Sequence, residues 1–362
     1  MPILKNRSGE LTALEHMAND LAGSCLPLVE IGTTRGMCGA DGPSCTTTLK
    51  RELTISLDTL RKHWNVRFDL MVDAHGLPGA NDWNATAHAV KDCFDSALLG
   101  VIPVVRLSDP EAVLREVGSA VRRAIFQPIC IRLTAADLHA DAAARLGERL
   151  EQALHALEAT TRGIHLVLDL GGISSETEAV GKTRLVERLL LDLPHPEEWL
   201  SITVAGGAFP PDLRGIQAKT LARIERREAG LWRRVRQQLR ERTRVPAFGD
   251  YGVAYPTPNR GRGFRASPQL RYTIDHSWLV VRYRRDEQYS RFFDICGEIA
   301  DHPEFTRGLT WGDDEIAARA EQLRADRGAA HAGPGNGSTW RAIGTSHHIG
   351  FVIDRLRTED QP

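Results

Sequence analysis

Short, continuously apolar runs recur along the chain, each followed by a stretch with helical spacing. The runs are "PILK", "LPLVEIG", "FDLMVDAHG", "VIPVVRLSD", "QPICIRLTAAD", "GIHLVLDLGG", "WLSITVAGGAFP" and "VPAFGDYG". Between them lie helical patterns such as "ELTALEHMANDLA", "PEAVLREVGSAVRRAI" and "ADAAARLGERLEQALHALEAT". Strands buried on both faces read as unbroken apolar runs, whereas half-buried strands alternate. Strand–helix alternation predicts a parallel sheet with helical crossovers. Eight such units predict an α/β fold: a (β/α)₈ TIM-type barrel over residues 1–258. An open doubly wound sheet is the alternative.

The pattern breaks after residue 258. "TPNRGRGFRASP" is a Gly/Arg/Pro loop, "LRYTIDHSWLVVRYRR" has the aromatic and β-branched content of a hairpin, and "DDEIAARAEQLRADRG" is helical. "HAGPGNGSTW" reads as a loop and "RAIGTSHHIGFVIDRLR" as a closing helix. Residues 259–362 are therefore expected to form a C-terminal α+β appendage packed on the barrel.

Aligning the runs exposes a charge at the end of seven: Lys5, Glu30, Asp73, Arg106, Arg132, Asp169 and Asp250. The seventh run instead offers Ala205-Gly206-Gly207. An unpaired buried charge costs several kcal/mol, so such a series needs a reason. In a barrel these residues would share the C-terminal mouth, where active sites of this fold lie. Glu30, Asp73, Asp169 and Asp250 are then the candidate catalytic carboxylates, with Asp73, Asp169 and Asp250 as candidate ligands for a hard cation such as Mg²⁺. Arg106 and Arg132, from neighbouring strands, suit a bidentate grip on phosphate or carboxylate. His75, two residues after Asp73, could join acid/base work or ligand binding. Lys5 is a ligand-binding candidate or, less simply, a Schiff-base lysine. The competing account is structural: the four carboxylates pair with Lys5, Arg106 and Arg132 as a salt-bridge network.

Two further features carry weaker chemistry. "AGGAFPPDL" is a Gly-rich turn of the kind that binds phosphate through backbone N–H groups, although no Walker or dinucleotide fingerprint is present. "LARIERREAGLWRRVRQQLRERTR" places nine Arg and three Glu within 223–244, with Trp232, Phe264, Tyr272, Trp278 and Tyr283 interleaved nearby. Arg with aromatics is the composition of a single-strand nucleic-acid surface, here centred on Arg233, Arg234 and Arg236. A solvated outer face of a barrel helix is the plainer explanation.

Composition narrows the partners. The chain has 362 residues, 42% hydrophobic and 26% charged, with net charge −1, so no global field attracts nucleic acid or membrane. The polar N-terminus and the lack of a long apolar window predict a cytoplasmic protein with no membrane span. Six cysteines include Cys38 and Cys45 in one Gly-rich loop, which could pair or share a metal; free thiols are expected.

In order along the chain, "PILKNRSGELTAL", "LPLVEI", "VDAHG", "PVVRL", "LVLDLG", "AGGAFPPDL", "FGDYG", "LRYT…WLVVR" and "GNGSTWRAIGTSHHI" resemble the beta protein family of phages and bacteria. Lys5, Glu10, Glu30, Asp250, Tyr251 and His348 match recurrent positions of that family; Tyr251 and His348 join the ligand-binding candidates, and one of His347 and His348 in "TSHHIG" could cap the barrel mouth if the tail folds over it. The resemblance implies a phage or bacterial defence setting and no particular reaction. Two functions follow. One is a barrel-mouth enzyme acting on a phosphorylated small molecule or nucleotide by phosphoester hydrolysis or transfer. The other is a non-catalytic sensor of nucleic acid or a partner protein.

Overall fold

A computed structural model describes residues 1–32, 54–60, 62–64, 68–77, 100–123, 128–139, 145–257, 266–325 and 333–359. All eight apolar runs form strands of one sheet. These are β1 (Ile3–Lys5), β2 (Leu28–Gly32), β3 (Leu70–Gly76), β4 (Val101–Val105), β5 (Ile129–Leu133), β6 (Ile164–Gly172), β7 (Ser201–Gly207) and β9 (Ala247–Asp250), neighbours in that order. A parallel bridge between Pro2 and Asp250 joins the last strand to the first. The Met1 amino group donates to the Phe248 carbonyl at 2.8 Å, and the Asp250 N–H donates to the Met1 carbonyl at 3.1 Å. The expected TIM-type barrel is therefore what the chain forms.

Helices follow the strands: α1 (Ser8–Glu15), α2 (Asn19–Ala22), α3 (Glu111–Arg123), α4 (Ala135–Leu138), α5 (Leu146–Leu157), α6 (Glu176–Leu191), α7 (Arg227–Leu239), α8 (Arg291–Ala300), α9 (Trp311–Arg324) and α10 (Gly337–Glu359). Local sequence sets several of their starts. Ser175 caps α6 by accepting the Glu178 N–H, and Thr134 with Asp137 closes a capping box on α4. α3 and α5 approach through Gly118, where a Cβ would stand 2.1 Å from the Leu157 carbonyl oxygen.

The chain divides into two compact units. The first holds Met1–Asn6, Leu26–Gly206 and Glu228–Asp250, and contains the barrel strands. The second holds Arg7–Cys25, Gly207–Arg227 and Tyr251–Pro362. It thus draws on two segments that lie N-terminal to a boundary at 258. The expected hairpin is β10 (Gln269–Thr273) with β11 (Ser277–Arg282), antiparallel. A strand the sequence did not announce, β8 (Leu221–Glu225), adds to β11. Leu270, Tyr272, Leu279, Phe292, Ile316, Trp340 and Ile343 share this unit's core.

Register decides which barrel residues face inward. Lys5, Glu30 and Asp73 are Cα partners across β1, β2 and β3. Arg132 is in register with Val167, two residues before Asp169, and an even offset keeps both side chains on one face. Stagger of this kind is what barrel closure requires. The last strand differs. Phe248 packs edge-to-face on Trp232 of α7, with ring centroids 5.6 Å apart, so its face of β9 looks outward to the helices. Gly249 looks inward, where a Cβ would meet Ala205 and Thr203 at 3.0 Å. Asp250 alternates with Gly249 and shares the face of Phe248.

Candidate functional site

The barrel mouth is organised around Arg132, whose side chain is 3% exposed. Its NH1 donates to Asp73 Oδ2 at 2.5 Å. Its NH2 donates to Asp169 Oδ2 at 2.7 Å and Glu30 Oε1 at 2.7 Å, and its Nε to Asp169 Oδ2 at 3.1 Å. One guanidinium thus serves three carboxylates from three other strands. A planar fork with five donors can do this where an ammonium could not. Lys5 pairs with the second oxygen of Glu30. Asp169 Oδ1 accepts the Gly171 N–H at 3.0 Å, which fixes the carboxylate where β6 ends. Burial works against ionisation of Asp73, yet Arg132, His75 and Arg106 hold its carboxyl well below the usual range.

A second cluster adjoins the first through Asp73. Its Oδ1 meets His75 Nδ1 at 2.7 Å, and its Oδ2 accepts from Arg106 NH2 at 3.2 Å. The other ring nitrogen, His75 Nε2, lies 2.9 Å from Asp109 Oδ1. Burial opposes the imidazolium, but hydrogen bonds to Asp109 and Asp73 outweigh it and push the pKa up to about 9. Both ring nitrogens therefore carry protons at neutral pH, and His75 is a fixed cation there. Arg106 is the least occupied cation of this set. Its side chain is 28% exposed and makes the single 3.2 Å bond to Asp73, and its buried Nε has no hydrogen-bond partner among the described residues.

Lys5, Glu30, Asp73, His75, Arg106, Arg132 and Asp169 are therefore brought together, much as the strand ends suggested. Asp109 is the member that sequence reasoning missed. It sits in "RLSDPE", where Asp-Pro-Glu marks a helix start just past a strand, and its Oδ2 accepts the Arg106 N–H at 2.8 Å. That signal could have placed a carboxylate at the mouth.

Among the described residues the remaining candidates make other contacts. Asp250, expected in the mouth, stands on the helix-facing side of β9 and is buried. The reason is the register set by its bridge to Pro2. Asp73, Asp169 and Asp250 accordingly do not form a metal-ligand group; among the described residues that geometry occurs at His195, Glu197 and Glu198, all exposed. Tyr251 and His348 belong to the second unit and are buried. His348 Nδ1 lies 2.8 Å from Thr273 Oγ1, while His347 Nε2 meets the Thr273 carbonyl at 2.7 Å. The Gly-rich turn after β7 is filled: where Gly207 would carry a Cβ, Pro256 and Tyr251 already stand at 2.9 and 3.2 Å.

Arginines of the Arg-rich stretch make contacts within the protein, although the buried Arg227 Nε, Arg234 Nε and Arg234 NH2 have no hydrogen-bond partner among the described residues. Arg234 pairs with Glu176 at 2.8 Å, Arg236 stacks over Trp232, and Arg233 is likewise engaged. Trp232, Tyr272 and Trp278 are core residues and offer no stacking platform. Phe264, Cys38, Cys45 and Cys93 lie outside the described residues; Cys130 and Cys296 are free thiols. No helix among the described residues is long and apolar enough to cross a membrane.

The fold and the charged mouth define an α/β barrel protein with a polar centre. A family model described as Beta protein matches residues 1–354, and the chain belongs to that family. No curated protein matches it. Among solved structures, it is similar to the "crystal structure of the N-terminal domain of a putative aldolase from Bacteroides vulgatus", at 10% identity, covering 99% of this chain and 97% of that one, with a TM-score of 0.29.

Proposed function

We propose that the barrel mouth is the active site of an enzyme acting on a phosphorylated or nucleotide-like small molecule by phosphoester hydrolysis or transfer. The observation that carries this is Arg106, a partly open guanidinium with an unpartnered Nε, beside the His75 cation. An unsatisfied buried donor costs about 1–3 kcal/mol, more when charged, and an oxyanion ligand removes that cost. Arg132 is already saturated by three carboxylates, so its part is to hold them. Of those carboxylates Glu30 is the most open, with a side chain 18% exposed against 1% for Asp73 and 7% for Asp169. In hydrolysis, water adds to phosphorus as the ester P–O bond breaks. Glu30 takes the proton of the water, Arg106 binds the phosphoryl oxygens, and the leaving oxygen takes a proton from solvent. We extend the proposal to a phage or defence context, on the family resemblance alone.

The test is turnover of a panel of nucleotides and sugar phosphates by wild type, Glu30→Gln and Arg106→Gln. Loss of at least about 100-fold in kcat/KM for either variant, with folding retained, is expected. Turnover that survives both substitutions, or none with any panel member, contradicts the proposal. Salt-sensitive oligonucleotide binding without turnover would favour a recognition role instead.

A further inference from the structure

The second unit buries a pair of arginines that the barrel-mouth reading does not use. Arg271 on β10 and Arg341 in the first turns of α10 both aim at one acceptor, the Val253 carbonyl. Arg341 NH1 donates to it at 2.7 Å, and Arg271 NH1 donates to it at 2.5 Å. The remaining bond is Arg271 NH2 to Gln269 Oε1 at 3.3 Å. Two guanidinium groups carry ten N–H donors. Three contacts, all to neutral acceptors, leave most of them without a partner among the described residues.

Charge is as unbalanced as hydrogen bonding. No carboxylate of the described residues lies within ion-pair distance of either group. The acidic group whose field reaches both is buried Glu10, and the exposed Arg7 adds a further positive charge beside Arg341. Burial first, and then the neighbouring charge of Arg341, holds Arg271 well below the usual arginine range. Both residues are half-buried.

The site is built rather than incidental. Phe209 lies under the Arg271 guanidinium, 4.3 Å from ring centroid to Cζ, and orients its plane. Gly9 of α1 makes the room for Arg341: a Cβ there would stand 2.8 Å from Arg341 Cβ and Cγ. Two converging forks offer more donors than one carboxylate accepts, and they match the several oxygens of a tetrahedral dianion.

We propose that Arg271 and Arg341 form an anion-binding site for a phosphate group in the second unit. The test is thermal melting of the full chain in inorganic phosphate, against chloride and acetate at matched ionic strength. A saturable upward shift specific to phosphate is expected in Arg106→Gln, which lacks the open cation of the barrel mouth, and is lost when Arg271→Gln or Arg341→Gln is added to it. Absence of a saturable shift in Arg106→Gln, an equal shift with acetate, or a shift untouched by Arg341→Gln overturns the proposal. Should the Gln variants fail to fold, Arg341→Lys decides, because it keeps the charge and removes the fork. A saturation midpoint about tenfold higher is then expected, and an unchanged midpoint overturns the site.

Discussion

Arg132 NH1 stands 2.5 Å from Asp73 Oδ2, and both side chains are almost wholly buried. The pair sits inside a set where the same guanidinium also serves Asp169 and Glu30. Removing one partner of a buried ion pair leaves an uncompensated charge, which costs about 3–5 kcal/mol. Arg132→Met is expected to lose stability of that order in urea unfolding. Arg132→Met with Asp73→Asn should recover part of the loss, because one orphaned charge disappears with it. A variant within about 1 kcal/mol of wild type would show that the mouth is not held by Arg132.

Stability should depend on alkaline pH through His75. Its pKa is raised from 6.5 to about 9 in the folded chain, so its contribution is complete below pH 6.5 and is lost as pH rises through about 9. The size is on the order of 3 kcal/mol. Melting curves from neutral to alkaline pH should fall more steeply for wild type than for His75→Gln. Parallel profiles would argue against the Asp73–His75–Asp109 arrangement. Asp73 acts in the opposite sense: its lowered pKa contributes stability above about pH 3.8 that is lost on acidification.

The close approach of α3 and α5 makes a steric prediction. Gly118→Ala would put a methyl 2.1 Å from the Leu157 carbonyl, and overpacking of this kind costs about 1–3 kcal/mol. Gly181, mid-helix in α6, has nothing within 4 Å of its would-be Cβ. Gly181→Ala should therefore gain about 0.5–1 kcal/mol through helix propensity. Denaturant unfolding of the two variants should give opposite signs; equal effects would refute the packing described.

The strands were legible because each is a short apolar run ended by Gly, Pro or a charge. β2 and β6 show this most plainly. β8 was not legible: "LARIE" gains its place from pairing with β11, more than fifty residues later in the chain. The segment 7–25 reads as the first crossover helix of the barrel, yet it belongs to the second unit. Nothing local distinguishes the two outcomes.

The mouth was legible for the same reason as the strands, and failed in one instructive place. Lys5, Glu30 and Asp73 fall in one register row, so their alignment in the sequence is also an alignment in space. Asp250 looks equivalent in sequence, but its bridge to Pro2 puts it on the outward face of β9. A one-residue change of register moves a side chain to the other face of a sheet, and no local pattern reports it. Asp109 was hidden differently, in a turn whose partner His75 lies on another strand.

Arg106 is the open cation of the mouth. Calorimetric titration of wild type and Arg106→Gln with a panel of nucleotides and sugar phosphates tests this most directly. A charged hydrogen bond contributes about 1.5–3 kcal/mol, so a ligand that binds wild type should bind Arg106→Gln about 10- to 100-fold more weakly while the melting temperature stays close to that of wild type. Equal affinity for both proteins, or no binding to wild type by any member of the panel, would contradict the account.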